Sequence, residues 1–143
     1  MPDNNAIFNI VAEQSIPNGE TSRMEMTTEG RFYKKDGVSC LEYEENDNGG
    51  IGGSTTLMMV AGRMVSLIRQ GQNTTHMVFS EGKKSFNVYR TPTGSMEMGI
   101  WPTGMQLDIG DKNGEITLEY ELDIGGQFTG SNMISLSYRL KKS

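Results

Sequence analysis

Residues 115–124 alternate apolar and polar side chains without a break. Ile116, Leu118, Tyr120, Leu122 and Ile124 share one parity, and Thr117, Glu119, Glu121 and Asp123 share the other. Successive side chains of a β-strand point to opposite faces, so this pattern demands a strand with one buried face and one wet face. The C-terminal segment repeats it, with Ile134, Leu136, Tyr138 and Leu140 set against Met133, Ser135, Ser137 and Arg139. Shorter versions occur where Met24 and Met26 alternate with Arg23, Glu25 and Thr27, and where Phe86 and Val88 alternate with Asn87 and Tyr89. Met96, Met98 and Ile100 alternate with Glu97 and Gly99 in the same way. No window longer than a turn or two carries a helical period.

Turn chemistry separates these runs. Pro17-Asn18-Gly19, Asp36-Gly37 and Asn113-Gly114 supply residues that tolerate positive φ, as tight hairpins require. Ala61-Gly62, Gln70-Gly71, Glu81-Gly82, Thr93-Gly94 and Thr103-Gly104 read the same way. All four prolines are expected at strand ends or in turns, where no ladder donor is lost. The predicted strands are 6–16, 21–29, 31–35, 38–45, 54–60, 63–69, 74–80, 84–90, 95–101, 105–109, 115–125 and 131–141, some of which merge. Short connections favour antiparallel neighbours. The expected architecture is all-β: one antiparallel up-and-down barrel domain, residues 1–143, with about eight to ten main strands.

A chain of 143 residues can bury roughly 68–70% of the surface it exposes when unfolded, so the core needs no staple. The single cysteine, Cys40, excludes an internal disulfide and suits a reducing compartment. Residues 1–5 lack the basic-then-apolar pattern of a secretory signal, and no stretch approaches the ~18 apolar residues of a membrane helix. A cytoplasmic location is expected. Net charge is −5, and the 13 Lys and Arg are scattered, which argues against a phosphate-neutralising surface and hence against nucleic acid as partner.

Several segments taken in order resemble a known family. Thr28-Glu29-Gly30-Arg31-Phe32-Tyr33 leads to Leu41-Glu42-Tyr43-Glu44-Glu45, then to Leu67-Ile68-Arg69-Gln70-Gly71. Tyr89-Arg90-Thr91-Pro92-Thr93-Gly94 with Met96-Glu97-Met98 follows, and then Ile116-Thr117-Leu118-Glu119-Tyr120-Glu121-Leu122 with Gly126 and Asn132-Met133-Ile134. This order is similar to that of the YwiB-like family of small bacterial proteins of unknown function. The resemblance runs over essentially the whole chain. It implies a calycin-like (lipocalin-type) β-barrel and a bacterial cytoplasmic setting, and it implies no catalytic residues.

The residues themselves offer little reactive chemistry. Nucleophilic catalysis needs a base beside the nucleophile, and His76 is the sole imidazole. Strand parity alone leaves open whether it points in or out. Zinc requires three or four His, Cys or carboxylate ligands, so with one His and one Cys neither a metal nor another cofactor is expected. Cys40 has no adjacent cation or helix start to lower its pKa and reads as a buried structural thiol. Glu42, Glu44, Glu119, Glu121 and Asp123 alternate with apolar residues and read as a solvated outer face rather than a paired-carboxylate site. Asn46-Asp47-Asn48 lacks the spacing of a calcium loop. Gly49-Gly50-Ile51-Gly52-Gly53 precedes a β-like run rather than a helix, so it reads as a hairpin loop or a lid and not a phosphate cradle. Asn73-Thr74-Thr75 has the form of a glycosylation acceptor without the secretory route that would use it.

Two features point to binding. The methionines, among them Met24, Met26, Met77, Met96 and Met98, would largely line the interior, where flexible thioethers suit either a filled core or an adaptable apolar pocket. Arg69 shares parity with Val65 and Leu67, and an inward guanidinium needs an anionic or carbonyl partner, from within the chain or from a ligand. The expected function is a non-catalytic barrel holding a small, mostly apolar molecule with an anionic group. Its expected ligand residues are Arg69, Tyr89, Trp101, Met96 and Met98. The alternative is a protein–protein interaction module with a filled core, a homodimer acting through its outer face. Elemental analysis of dialysed protein should find no stoichiometric zinc, iron or copper, and a one-to-one transition metal would overturn this ligand accounting.

Overall fold

The computed structural model describes residues 4–45, 54–71 and 74–141, and the backbone alone at positions 45 and 89–91. The Asn46-Asp47-Asn48 segment, the Gly-rich run 49–53 and Asn73 lie outside the described residues. Ten strands follow one another: β1 (Ala6–Ser15), β2 (Thr21–Lys35), β3 (Val38–Glu45), β4 (Ser54–Ala61), β5 (Met64–Gln70), β6 (Thr74–Ser80), β7 (Ser85–Thr91), β8 (Gly94–Ile109), β9 (Asn113–Ile124) and β10 (Gln127–Leu140). Each pairs antiparallel with its neighbours in sequence, and β1 pairs with β10, so the sheet closes into an up-and-down barrel. The closing seam is continuous, from Ala6 opposite Leu140 to Ser15 opposite Ser131.

Two of the expected breaks are absent. Segments 21–29 and 31–35 form one strand because Gly30 is extended rather than turned. It pairs with Ala6 and Tyr43, and a Cβ there would lie 2.6 Å from the Phe8 ring and against the Glu42 carbonyl. The glycine makes room for an aromatic ring. Segments 95–101 and 105–109 likewise merge into β8, with the register shifting between Pro102 and Gly104. Pro102 therefore sits inside a strand at a bulge, not in a turn, and the bulge is where a missing backbone donor is tolerated. Asn113-Gly114 opens β9 instead of forming a turn. The real connection is residues 110–112, closed by Gly110 N–H donating to the Asn113 carbonyl (3.0 Å). Asp36-Gly37 behaves as its sequence demands, both residues at positive φ (53° and 81°) in a two-residue hairpin.

Parity then decides the interior. Phe8, Ile10, Leu41, Met58, Val60, Val65, Leu67, Phe79, Met98, Ile100, Met105, Ile116, Leu118 and Leu136 fill the barrel as one buried cluster. At one end Phe32 and Tyr138 stack (centroids 4.4 Å apart, 20° between planes). The Tyr138 hydroxyl donates to the Gly110 carbonyl at 2.7 Å, and the Asn5 side chain brackets the Phe32 backbone through both its amide atoms (2.9 and 2.8 Å). That end is plugged. Substituting Gly30→Ala should lower stability by ~1–3 kcal/mol through overpacking against Phe8, read as a shifted urea midpoint with unchanged slope. In a Phe8→Leu background the same substitution should cost less, because the ring that the new Cβ meets is gone. Equal effects would show that the Phe8–Gly30 contact does not constrain the barrel.

Candidate functional site

The other end of the barrel is open. There the inward parity continues but the residue types change: β1 contributes Ala12, β2 Met24, β5 Arg69, β6 Thr75 and Met77, β9 Tyr120, and β10 Asn132 and Ile134. These line a cleft of about 290 Å³, with Leu67 among its walls and Gln14 and Ser22 also bordering it. Below it the apolar cluster is filled, so the cleft is a mouth pocket and not a through-cavity.

Its polar groups are of both kinds, since Glu13 and Arg23, paired with each other at 3.2 Å, also border it. Arg69 extends into the cleft and is solvent-exposed. Tyr120 is buried (6% exposed) with its ring edge-on to Phe79 (4.9 Å, 68°). Burial pushes its phenol up to about 12, against the opposing pull of the Arg69 charge, so Tyr120 is a neutral hydroxyl at physiological pH. The side-chain amide nitrogen of Asn132 is buried and has no hydrogen-bond partner, and the hydroxyl of the fully buried Thr56 has none either. Thr56 sits on β4 directly opposite Arg69. Buried polar groups are normally paired; of these two, Asn132 borders the cleft, while Thr56 is outside its lining, on the strand paired with that of Arg69.

The five expected ligand residues do not converge. Arg69 borders the cleft. Met98 is in the core at 2% exposure, and Met96 is exposed near the start of β8. Trp101 has the parity opposite to Ile100 and stands on the outer surface, 47% exposed. Tyr89 pairs through its backbone with Thr75 and Met96, and its side chain lies outside the described residues. His76 is exposed, opposite Ile68 on the outward parity of β6, away from the cleft. Cys40 is buried and reduced. Glu42 binds Arg31 on the outer face (2.9 Å). Among the described residues no group of three or more His, Cys, Asp or Glu could hold a metal, and no helix is long and apolar enough to cross a membrane.

Asn132 and Tyr120 are the residues that the expected set lacked. Both had a signal: each lies on the parity of the apolar residues of its strand, Asn132 with Ile134 and Leu136, Tyr120 with Leu118 and Leu122. Tyr138, at the plugged end, is also pushed up to about 12 by burial. A phenol of raised pKa keeps its proton in the native state while the unfolded chain loses it. Stability should therefore fall as pH rises from about 10 to about 12 and level off above. Urea midpoints across that range should show the fall, and Tyr120→Phe should reduce it. A flat profile would contradict the buried placement of both rings.

Comparison with known proteins agrees with this architecture. The family model described as a domain of unknown function, DUF1934, matches residues 9–136. The uncharacterized β-barrel protein YwiB of Bacillus subtilis (strain 168) is 24% identical over 121 residues, covering 84% of this chain and 83% of that one. The crystal structure of the ywiB protein from Bacillus subtilis superposes with a TM-score of 0.82 at 21% identity, over 99% of this chain and 96% of the other. An all-antiparallel barrel matched along nearly its whole length places this chain in the DUF1934, YwiB-like family of bacterial β-barrel proteins of unknown function.

Proposed function

We propose that this barrel is a non-catalytic, cytoplasmic binding protein of the calycin type. It takes a small, mostly apolar molecule with an anionic end, such as a medium-chain carboxylic acid, into the mouth cleft. The observation that carries this reading is the unpartnered, buried amide nitrogen of Asn132, which borders the same cleft as Arg69 and Tyr120. An unsatisfied buried donor costs ~1–3 kcal/mol, and an acceptor oxygen on a ligand would offset that cost. The neutral Tyr120 hydroxyl supplies a second donor and Arg69 the compensating charge. Met24, Met77, Leu67 and Ile134 accept the apolar part. At about 290 Å³ the cleft lies at the bottom of the ~300–1,000 Å³ range of ligand pockets, so the tail is no longer than medium-chain.

The set of donors is suited to holding an anion rather than to turning one over, since His76 points away to the outer surface. The single buried thiol is compatible with a reducing cytoplasm.

Isothermal titration with octanoate and with octanol tests the reading. Octanoate should bind saturably and octanol at least tenfold more weakly, and Arg69→Met should weaken octanoate about tenfold. Asn132→Leu should also weaken octanoate about tenfold while melting no lower than the wild type, because it replaces an orphaned polar group by an apolar one of similar size. No saturable heat with octanoate, equal binding of octanol, or an Asn132→Leu variant that binds as well as the wild type would each refute it.

A further inference from the structure

On the outer surface, where β7, β8, β9 and β10 lie side by side, three aromatic rings stand exposed: Phe86 (65%), Trp101 (47%) and Phe128 (48%). Pairing sets Phe86 opposite Gly99, Gly99 opposite Asp123, and Asp123 opposite Phe128, so one row crosses four strands. Gly99 is the low point of that row. A Cβ there would lie 2.6 Å from the Asp123 carboxylate and 2.8 Å from the Lys84 side chain, so the absent side chain makes room for the Lys84–Asp123 ion pair (2.8 Å). Lys84 also lies over the Phe86 ring, 5.3 Å from its centroid. Beside this pair, Trp101, Phe128 and Glu121 border a shallow groove of about 390 Å³.

We infer that this groove is an interaction surface for a basic segment of another protein, one presenting Arg or Lys beside aliphatic residues. Charge complementarity selects this occupant. The groove joins aromatic faces, which attract cations, to the Glu121 carboxylate, and its own lysine is already neutralised by Asp123. The molecule performs the same recognition once internally, holding the Lys84 ammonium between a carboxylate and a ring. A second copy of this chain is the poorer fit, because the net charge is −5 and a symmetric contact would set the acidic groove against itself. This surface is independent of the mouth cleft.

Trp101 is the chain's one tryptophan, so its emission reports on this groove. Titration with the peptide acetyl-Leu-Arg-Leu-Arg-Leu-amide should change the emission saturably, and the Glu-for-Arg counterpart should not. Glu121→Gln and Phe128→Ala, with melting temperatures first checked against the wild type, should each weaken the basic peptide at least fivefold, as should 0.5 M sodium chloride. No saturable change with the basic peptide, an equal change with the acidic one, or indifference to both variants would overturn the inference. A dimer in sedimentation velocity that Trp101→Ala dissociates would overturn it as well, assigning the face to a second copy.

Discussion

Closure between the first and last strands governs everything else in this molecule. Ten residues of β1 pair in unbroken register with ten of β10, and those segments lie at opposite ends of the described chain. Bringing them together carries a loop-closure cost that rises only slowly with length, and it removes both exposed edges that an open ten-strand sheet would present to other chains. It also fixes which side is inside. Once Ala6 faces Gly30 on one flank and Leu140 on the other, the two-residue period commits the even positions of β1 and β9, of β2 from Met24 to Phe32, and of β10 from Asn132 onward to the interior. A slip of one residue would turn all of them out.

Inside that frame the two ends are made differently. At the plugged end, polar atoms are consumed locally: the Tyr138 hydroxyl donates a hydrogen bond to the Gly110 carbonyl, and Asn5 uses both amide atoms on Phe32. At the mouth, Asn132 and Thr56 keep buried polar atoms without partners. A core designed for stability alone would carry leucine or valine there. Among the described residues, the two buried side-chain polar atoms without a partner are those of Asn132, in the cleft, and Thr56, opposite Arg69.

The sequence was legible where parity and turn chemistry act locally. The barrel class, the interior positions of β9 and β10, the Asp36-Gly37 hairpin and the inward parity of Arg69 all follow from period two and positive φ. Gly30 and the Pro102–Gly104 pair misled because a glycine or proline signals a break by its local preferences, whereas here tertiary contacts decide: the Phe8 ring needs Gly30 bare, and the β8–β9 register absorbs Pro102 in a bulge. Trp101 and Met98 were grouped with Arg69 through residue type rather than position. Convergence on a cleft depends on height along the barrel axis, which strand stagger sets. Met98 faces inward but packs in the filled layer, and Trp101 faces outward. Asn132 was visible as a polar residue on an apolar face, although its lack of a partner is a three-dimensional fact.

The barrel wall is not uniform, and its weakest joint adjoins the mouth. Among the described residues β6 and β7 pair through Thr74 with Arg90 and Thr75 with Tyr89, whereas the neighbouring β5–β6 ladder runs from Met64–Ser80 to Arg69–Thr75. Beyond Thr75 the ladder lapses until the Ser80–Lys83 bridge at the hairpin, and the Ser85 hydroxyl donating to the Val78 carbonyl (2.5 Å) ties the strands between. Local opening is easiest where ladder hydrogen bonds are fewest. Thr75 and Met77, which line the cleft, sit on this loosely held strand, while Asn132 and Ile134 sit on β10, paired along both edges. The cleft is thus lined on one side by a strand paired along both edges, which carries the orphaned donor, and on the other by a strand with few pairs along one edge.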